Sequence, residues 1–128
     1  KEYRRQRQMC IRDRKMIENV RHLEPIFMGG LKNFEDLEFI GESRGIGLMG
    51  ALEMVQDKKN KLPFDGSISI GERVANKCIE NGLICRPLGP SIVLCPPFIT
   101  SEEEMGIIFD TLEKTLKEVF SEVKSLGQ

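Results

Sequence analysis

Residues 82–100 read GLICRPLGPSIVLCPPFIT. Two short apolar arms, at 83–86 and 91–95, flank a turn at 87–90 that is rich in proline and glycine, which predicts a β-hairpin. Arg86 ends the first arm, so we expect it at the lip of the hairpin. Its guanidinium is always charged and offers a planar fork of donors that matches a carboxylate. We therefore interpret Arg86 as a candidate anion receptor, with an ordinary exposed or ion-paired arginine as the alternative.

Apolar periodicity outside the hairpin predicts three helices and two further strands. The predicted elements are a helix at 16–31, strands at 37–44 and 48–55, a helix at 70–79 and a long helix whose apolar face runs from 105 to 123. The order helix, strand, strand, helix, strand, strand, helix predicts an α+β fold. In such a fold a small, mostly antiparallel sheet has its helices packed on one face.

Several glycines suggest local features of these elements. The pair at 29–30 is expected to interrupt the first helix near its end, because glycine is a poor helix former. Gly45 and Gly47 suit a tight reversal between the first two strands. Arg44, directly before this turn, is a second candidate for binding an anion, or simply ends the strand. Gly50, inside the second strand, predicts a bulge or a close backbone approach.

Two positions carry the residues of a helix N-cap. Ser69 and Glu72 have the spacing of a capping box at the start of the second helix. Either Thr100 or Ser101 is expected to cap the last helix, with one of the glutamates at 102–104 reciprocating. The acidic first turn of that helix also favours the positive end of the helix dipole.

The composition is that of an ordinary globular protein of 128 residues, with 40% hydrophobic and 30% charged residues. The net charge of −1 hides an asymmetry, because residues 1–15 hold seven Lys and Arg against two Asp and Glu. The string MCIRDR in this segment is similar to translated sequencing adapter. We therefore treat 1–15 as a separate basic segment without a family counterpart, artefactual or genuine, and 16–128 as one domain. A nucleic-acid-binding arm at 1–15 is the weakest alternative, since the rest of the chain is acidic.

No apolar run is long enough to span a bilayer, and nothing resembles a secretory signal. We expect a cytoplasmic protein without membrane or nucleic-acid partners.

Cysteine and histidine usage argues against a metal centre or a catalytic thiol. The cysteines are Cys10, Cys78, Cys85 and Cys95, without a C-x-x-C pair, and His22 is the only histidine. We expect the last three cysteines to be small buried residues in a reducing cytosol. For His22 we expect no partner and no catalytic role.

Three segments together resemble a known family: 42–55 (ESRGIGLMGALEMV), 80–100 (ENGLICRPLGPSIVLCPPFIT) and the helix at 101–120. An Arg-Gly-x-Gly-Leu turn, a Gly-Leu-x-x-Arg strand and a Pro-Pro-x-x-Thr helix start occur in this order. Order and spacing are similar to the C-terminal small domain of class III, pyridoxal-phosphate-dependent aminotransferases. The omega-amino-acid:pyruvate transaminase branch is the most similar, over residues 16–126.

The resemblance implies a reaction that needs more than this chain. Such enzymes move an amino group from an amine or omega-amino acid to a keto acid such as pyruvate, with pyridoxal 5′-phosphate as electron sink. In this branch the position of Arg86 binds the substrate carboxylate and swings aside for donors that lack one. The catalytic lysine, the acid on the cofactor ring and the phosphate-binding residues of the family lie in a large N-terminal domain. We therefore assign no catalytic, cofactor-binding or metal-binding residue here and expect the chain alone to be inactive.

The resemblance also implies partners for this chain. They are its own large N-terminal domain, the amino-donor and keto-acid substrates, and a second subunit in a homodimer. The alternative is a free-standing regulatory α+β module that binds an amino acid through Arg86.

Overall fold

The computed structural model describes residues 3–5, 8–9 and 15–126. Most of the segment 1–15, including Cys10, lies outside the described residues, so its separation from the domain at 16–128 stays a prediction. The helices and strands are α1 (Met16–Asn33), β1 (Ile40–Ile46), β2 (Met49–Met54), α2 (Ile70–Glu80), β3 (Arg86–Leu88), β4 (Ser91–Leu94) and α3 (Glu102–Leu126). This is the predicted element order.

The four strands form one antiparallel sheet in the order β1-β2-β4-β3. Alternation along β2 separates the two faces of the sheet: Leu52 and Met54 are fully buried, whereas Glu53 between them is only half-buried. Helix α1 packs over β1 and β2, α2 packs over β3 and β4, and α3 packs against both helices. The predicted α+β fold is confirmed. The two outer strands are β1 and β3, and the edge formed by β3 carries Arg86.

Helix α1 is held on the sheet by large side chains four residues apart, since Leu23, Phe27 and Leu31 are all fully buried. The prediction that the glycine pair 29–30 interrupts this helix is wrong, because α1 continues to Asn33. The physical reason is packing: a Cβ added at Gly30 would overlap the ring of Phe109 on α3. Tertiary contact therefore outweighs the low helix propensity of glycine at this position.

The reversal between β1 and β2 lies at Gly47 and Leu48, so only the second of the two predicted glycines takes part in the turn. Gly47 takes a positive φ of 58°, which favours glycine, and its N–H donates to Glu24 Oε1 on α1 at 2.7 Å. Gly45 instead lies inside β1, opposite Gly50. At Gly50 the side chains of Leu31 and Phe27 come so close that no Cβ would fit. The close approach is therefore made by helix side chains.

Helix α3 begins with the predicted capping box. Ser101 N–H donates to Glu104 Oε2 at 2.8 Å, and Glu104 N–H donates to Ser101 Oγ at 3.1 Å. The apolar face of α3 is buried along most of its length, at Met105, Leu112, Leu116, Val119, Phe120 and Val123.

The capping box predicted at the start of α2 does not form. Ser69 has a positive φ of 49° and makes no side-chain cap hydrogen bond. The C-terminus of α2 does end at a left-handed glycine, Gly82, and Leu83 N–H donates to Cys78 O at 2.8 Å.

Within the described ranges, no helix combines the length and the apolar composition that a membrane crossing requires.

Candidate functional site

Arg86 opens strand β3, where it pairs with Val93 of β4. The predicted hairpin is confirmed, but the predicted position of Arg86 beside the turn is wrong. The turn lies at Gly89 and Pro90, so Arg86 is at the open end of the hairpin. The first arm starts late because Leu83 is still engaged in the C-terminal cap of α2. Arg86 is therefore placed where the chain leaves a helix and enters the sheet.

The surface around Arg86 is exposed and mostly apolar. Arg86 and Leu88 lie two residues apart in β3 and therefore share one side of the strand. Leu88 is 63% exposed, Arg86 is also exposed, and Ile84, just before the strand, is 85% exposed. Two aliphatic side chains are thus open to solvent on either side of Arg86 in the sequence.

Arg86 takes part in no ion pair with a carboxylate of the described residues. Its charge is therefore not used to neutralise a carboxylate within that part of the chain. Arg86 also lines none of the four best-formed clefts among the described residues. The nearest cleft, of about 330 Å³, is formed by Pro87, Gly89 and Pro90 together with residues 63–72. The exposed guanidinium is thus free to receive an anion, but this part of the chain supplies no enclosed pocket around it.

A buried polar cluster lies behind Arg86. Cys85, directly before it, is 7% exposed and lies in the same buried cluster as the fully buried Cys78 of α2. The Cys78 thiol and burial raise the pKa of Cys85, whereas the thiol of Cys85 lowers the pKa of Cys78 against the opposing effect of burial. Thr115 of α3 also lowers the pKa of Cys78; its hydroxyl accepts from Asn81 Nδ2 at 2.9 Å and donates to Thr111 O at 2.8 Å. The start of β3 is thereby connected to both α2 and α3.

The second candidate for binding an anion, Arg44, is already neutralised. Its Nη1 lies 2.8 Å from Glu53 Oε2 and 3.5 Å from Glu42 Oε2. The hydrogen bond to Glu53 raises the pKa of Arg44. Arg44 therefore joins strands β1 and β2 on the exposed face of the sheet, and among the two candidate arginines only Arg86 is open.

Two further expectations are corrected. His22 does have a partner, because its Nε2 pairs with Glu102 at the start of α3. Both side chains are largely exposed, so the pair joins the helix surfaces. Cys95, expected to be buried, is exposed, because it continues the alternation of β4 between the buried Leu94 and Pro96 and so lies on the outer side. Cys78 and Cys85 are buried as expected.

Comparison with known proteins identifies the family to which this chain belongs. The family model described as aminotransferase class III matches residues 8–116. The chain therefore belongs to the class III aminotransferase family.

Individual relatives agree with that assignment. The adenosylmethionine-8-amino-7-oxononanoate aminotransferase of Methanocaldococcus jannaschii is 37% identical over 103 residues, which is 80% of this chain and 22% of that protein. The crystal structure of an omega-transferase from Vibrio fluvialis is 53% identical with a TM-score of 0.89, over 91% of this chain and 28% of that one. A PMP-bound aminotransferase from Vibrio fluvialis is 57% identical with a TM-score of 0.83, over 84% and 24%. The chain thus spans about a quarter of the length of its relatives.

Class III aminotransferases use pyridoxal phosphate, whose chemistry requires a lysine amine held at the cofactor. Among the described lysines, Lys77 is half-buried and pairs with Glu80 at 3.0 Å, and every other one is exposed. This part of the chain therefore does not by itself enclose a lysine amine as a pyridoxal phosphate site requires.

Sequence reasoning missed the contact between Cys78 and Cys85. The two lie seven residues apart and on either side of the helix end, so neither helical nor strand periodicity places them together. The available signal was the Asn-Gly pair at 81–82, which predicts a tight reversal and so brings the flanking residues close.

Proposed function

We propose that this chain is the C-terminal small domain of a transaminase that acts on amines or omega-amino acids and uses a keto acid such as pyruvate as acceptor. In this proposal Arg86 receives the substrate carboxylate. The observation that carries it is the position of Arg86: it lies at a sheet edge, paired with β4, and its exposed guanidinium is neutralised by no described acid. A guanidinium in this state can bind a carboxylate through two parallel hydrogen bonds. The similarity to the Vibrio fluvialis omega-transferase supports the same assignment.

The pocket around Arg86 must be completed by other protein surface. Arg86 lines none of the four best-formed clefts among the described residues, and its neighbours Ile84 and Leu88 are exposed. Covering these two side chains would remove apolar area from water and would surround the guanidinium with a medium in which an ion pair is stronger. We propose that a large N-terminal domain and a second subunit of a homodimer supply this cover, together with the lysine and the pyridoxal phosphate site.

The same geometry argues against a free-standing amino-acid sensor. A small ligand is normally held in a cleft that buries most of its surface. Around Arg86 the described residues offer an open edge and no such cleft.

The test is Arg86→Ala in the full-length transaminase, with two donors that differ only in the carboxylate: 4-aminobutyrate and butylamine. Each donor is mixed with the cofactor-loaded enzyme in the absence of acceptor, so that no second carboxylate competes. Losing a charge-assisted hydrogen bond costs about 1.5–3 kcal/mol, so kcat/KM for 4-aminobutyrate should fall about 10- to 150-fold. The value for butylamine should change far less.

Arg21→Ala is the matched control, because Arg21 is an exposed arginine on α1. It should leave both donors unchanged. Equal losses for 4-aminobutyrate and butylamine in the Arg86 variant would contradict the assigned role.

A further inference from the structure

The segment that presents Arg86 has a single buried anchor. From Gly82 to Pro90 every residue is exposed except Leu83, which is half-buried, and Cys85, which is buried. Strand β3 is only three residues long and lies at the sheet edge, so it is paired on one side alone. Its central residue is Pro87, which has no N–H to donate to β4. The backbone ladder therefore gives this strand little rigidity of its own.

The buried side chain of Cys85 gives this segment the rigidity that the backbone ladder does not. Cys85 is 7% exposed and belongs to the same buried cluster as Cys78 of α2, which is fully buried. The two thiols shift each other's pKa, and the fully buried Thr115 of α3 contributes to the shift at Cys78. The burial of Cys85 therefore anchors the residue before Arg86 in the core that α2 and α3 form behind this side of the sheet.

We propose that Cys85, buried with Cys78, is a positioning residue that sets where the guanidinium of Arg86 meets the substrate carboxylate. This inference rests on the proposed role of Arg86. Consecutive residues of an extended segment point to opposite sides, so the depth at which Cys85 sits fixes the height of the Arg86 Cα above the core. A bidentate ion pair depends strongly on geometry, and a displacement of about 1 Å is enough to weaken it severely. The thiols are not proposed to touch substrate or cofactor.

The test uses Cys85→Ala in the full-length transaminase, again with 4-aminobutyrate and butylamine in the absence of acceptor. The half-saturating concentration of 4-aminobutyrate should rise by about three- to tenfold, and the rate at saturation should change by less than about twofold. Both parameters for butylamine should stay within about twofold of the wild type, since this donor makes no use of the guanidinium. Cys78→Ala should likewise raise the half-saturating concentration of 4-aminobutyrate and leave butylamine unchanged, although Cys78 lies in α2 and therefore further from the substrate than Cys85.

Two controls separate positioning from loss of stability. Ile40→Val removes one buried methyl group from β1 at the opposite edge of the sheet, and a comparable fall in melting temperature should come without any separation of the two donors. Cys95→Ala changes an exposed cysteine after β4 and should alter neither donor. If Cys85→Ala fails to fold, Cys78→Ala carries the same comparison.

The inference is overturned if the cysteine variants change both donors equally, or if the half-saturating concentration of 4-aminobutyrate stays within twofold of the wild type. Arg86→Ala, measured alongside, distinguishes a failure of the positioning role of Cys85 from a failure of the proposed function of Arg86. Where Arg86→Ala separates the donors and the cysteine variants do not, only the positioning role fails. Where Arg86→Ala does not separate them, the proposed function fails as well.

Discussion

Replacing Gly50 with alanine should destabilise the domain, because this glycine is where helix α1 comes closest to the sheet. A Cβ built at Gly50 would overlap Leu31 Cδ1 and would lie 2.9 Å from Phe27 Cε1. Both of these side chains are fully buried, so neither can move aside into solvent. Overpacking of this kind costs about 1–3 kcal/mol, and the lower chain entropy of alanine in the unfolded state offsets about 0.4–1 kcal/mol of it. The free energy of unfolding should therefore fall by about 1.3 kcal/mol at the middle of both ranges.

Gly29→Ala is the same chemical change at a position without neighbours. Gly29 is exposed in α1, and no atom lies within 4 Å of a Cβ built on it. Alanine is favoured over glycine in a helix by about 0.8–1 kcal/mol, so this variant should be more stable than the wild type. The two substitutions should thus shift stability in opposite directions.

Urea unfolding of the 128-residue chain, followed by far-ultraviolet circular dichroism, measures both effects. Tryptophan fluorescence is not an option, because the chain has no tryptophan and one tyrosine. The midpoint should fall for Gly50→Ala and rise for Gly29→Ala, with the slope against urea unchanged. A Gly50→Ala midpoint equal to that of the wild type, or a shift of both variants in the same direction, would refute the packing argument.

Two further predictions concern a helix cap and a carboxylate. Ser101→Ala should lower the free energy of unfolding by about 1 kcal/mol, whereas Ser69→Ala should cost less than about half of that; equal effects in urea unfolding would contradict the observed caps. Lys32, at 2.6 Å, and hydrogen bonds from Ser43 lower the pKa of Glu35 from 4.5 to about 2. A pKa lowered on folding adds stability above pH 4.5 that is lost as pH falls to about 2. Glu35→Gln should therefore melt earlier than the wild type at pH 7 but not at pH 2, and a pH-independent difference would exclude this account.

The two serine caps show why local sequence signals succeed at one helix and fail at another. At Ser101 the box forms as its spacing predicts. Before Ser69, the side chain of Asp65 accepts from Ser67 N–H at 2.8 Å and winds residues 66–68 into a short 3₁₀ turn. Ser69 then enters α2 with a left-handed backbone, and its hydroxyl donates back to Gly66 O at 3.3 Å. A neighbouring Asx turn outweighs the capping spacing, and the spacing alone contains no information about it.

Periodicity predicted the elements well and the register of the hairpin less well. The long apolar stripe of α3 and the alternation along β2 depend on which residues are buried, and both were predictable. The start of β3 was not, because it depends on a contact between elements: the C-terminal cap of α2 occupies Leu83 and delays the strand. Arg86 could therefore be singled out by its chemistry, while its place at the open end of the hairpin and its anchoring through Cys85 required the structure.

The proposed role of Arg86 makes two demands that seem to conflict. A group that binds a carboxylate tightly must start from a defined position, yet a group that withdraws for donors without a carboxylate must be able to move. At Arg86 these demands fall on different atoms. The buried Cys85 anchors the backbone directly before Arg86, and Arg86 itself pairs with Val93, whereas the guanidinium stands on a long side chain with no described acid to hold it. Because the backbone is already ordered, binding a carboxylate would order the side chain alone, and this limits the entropy that binding costs.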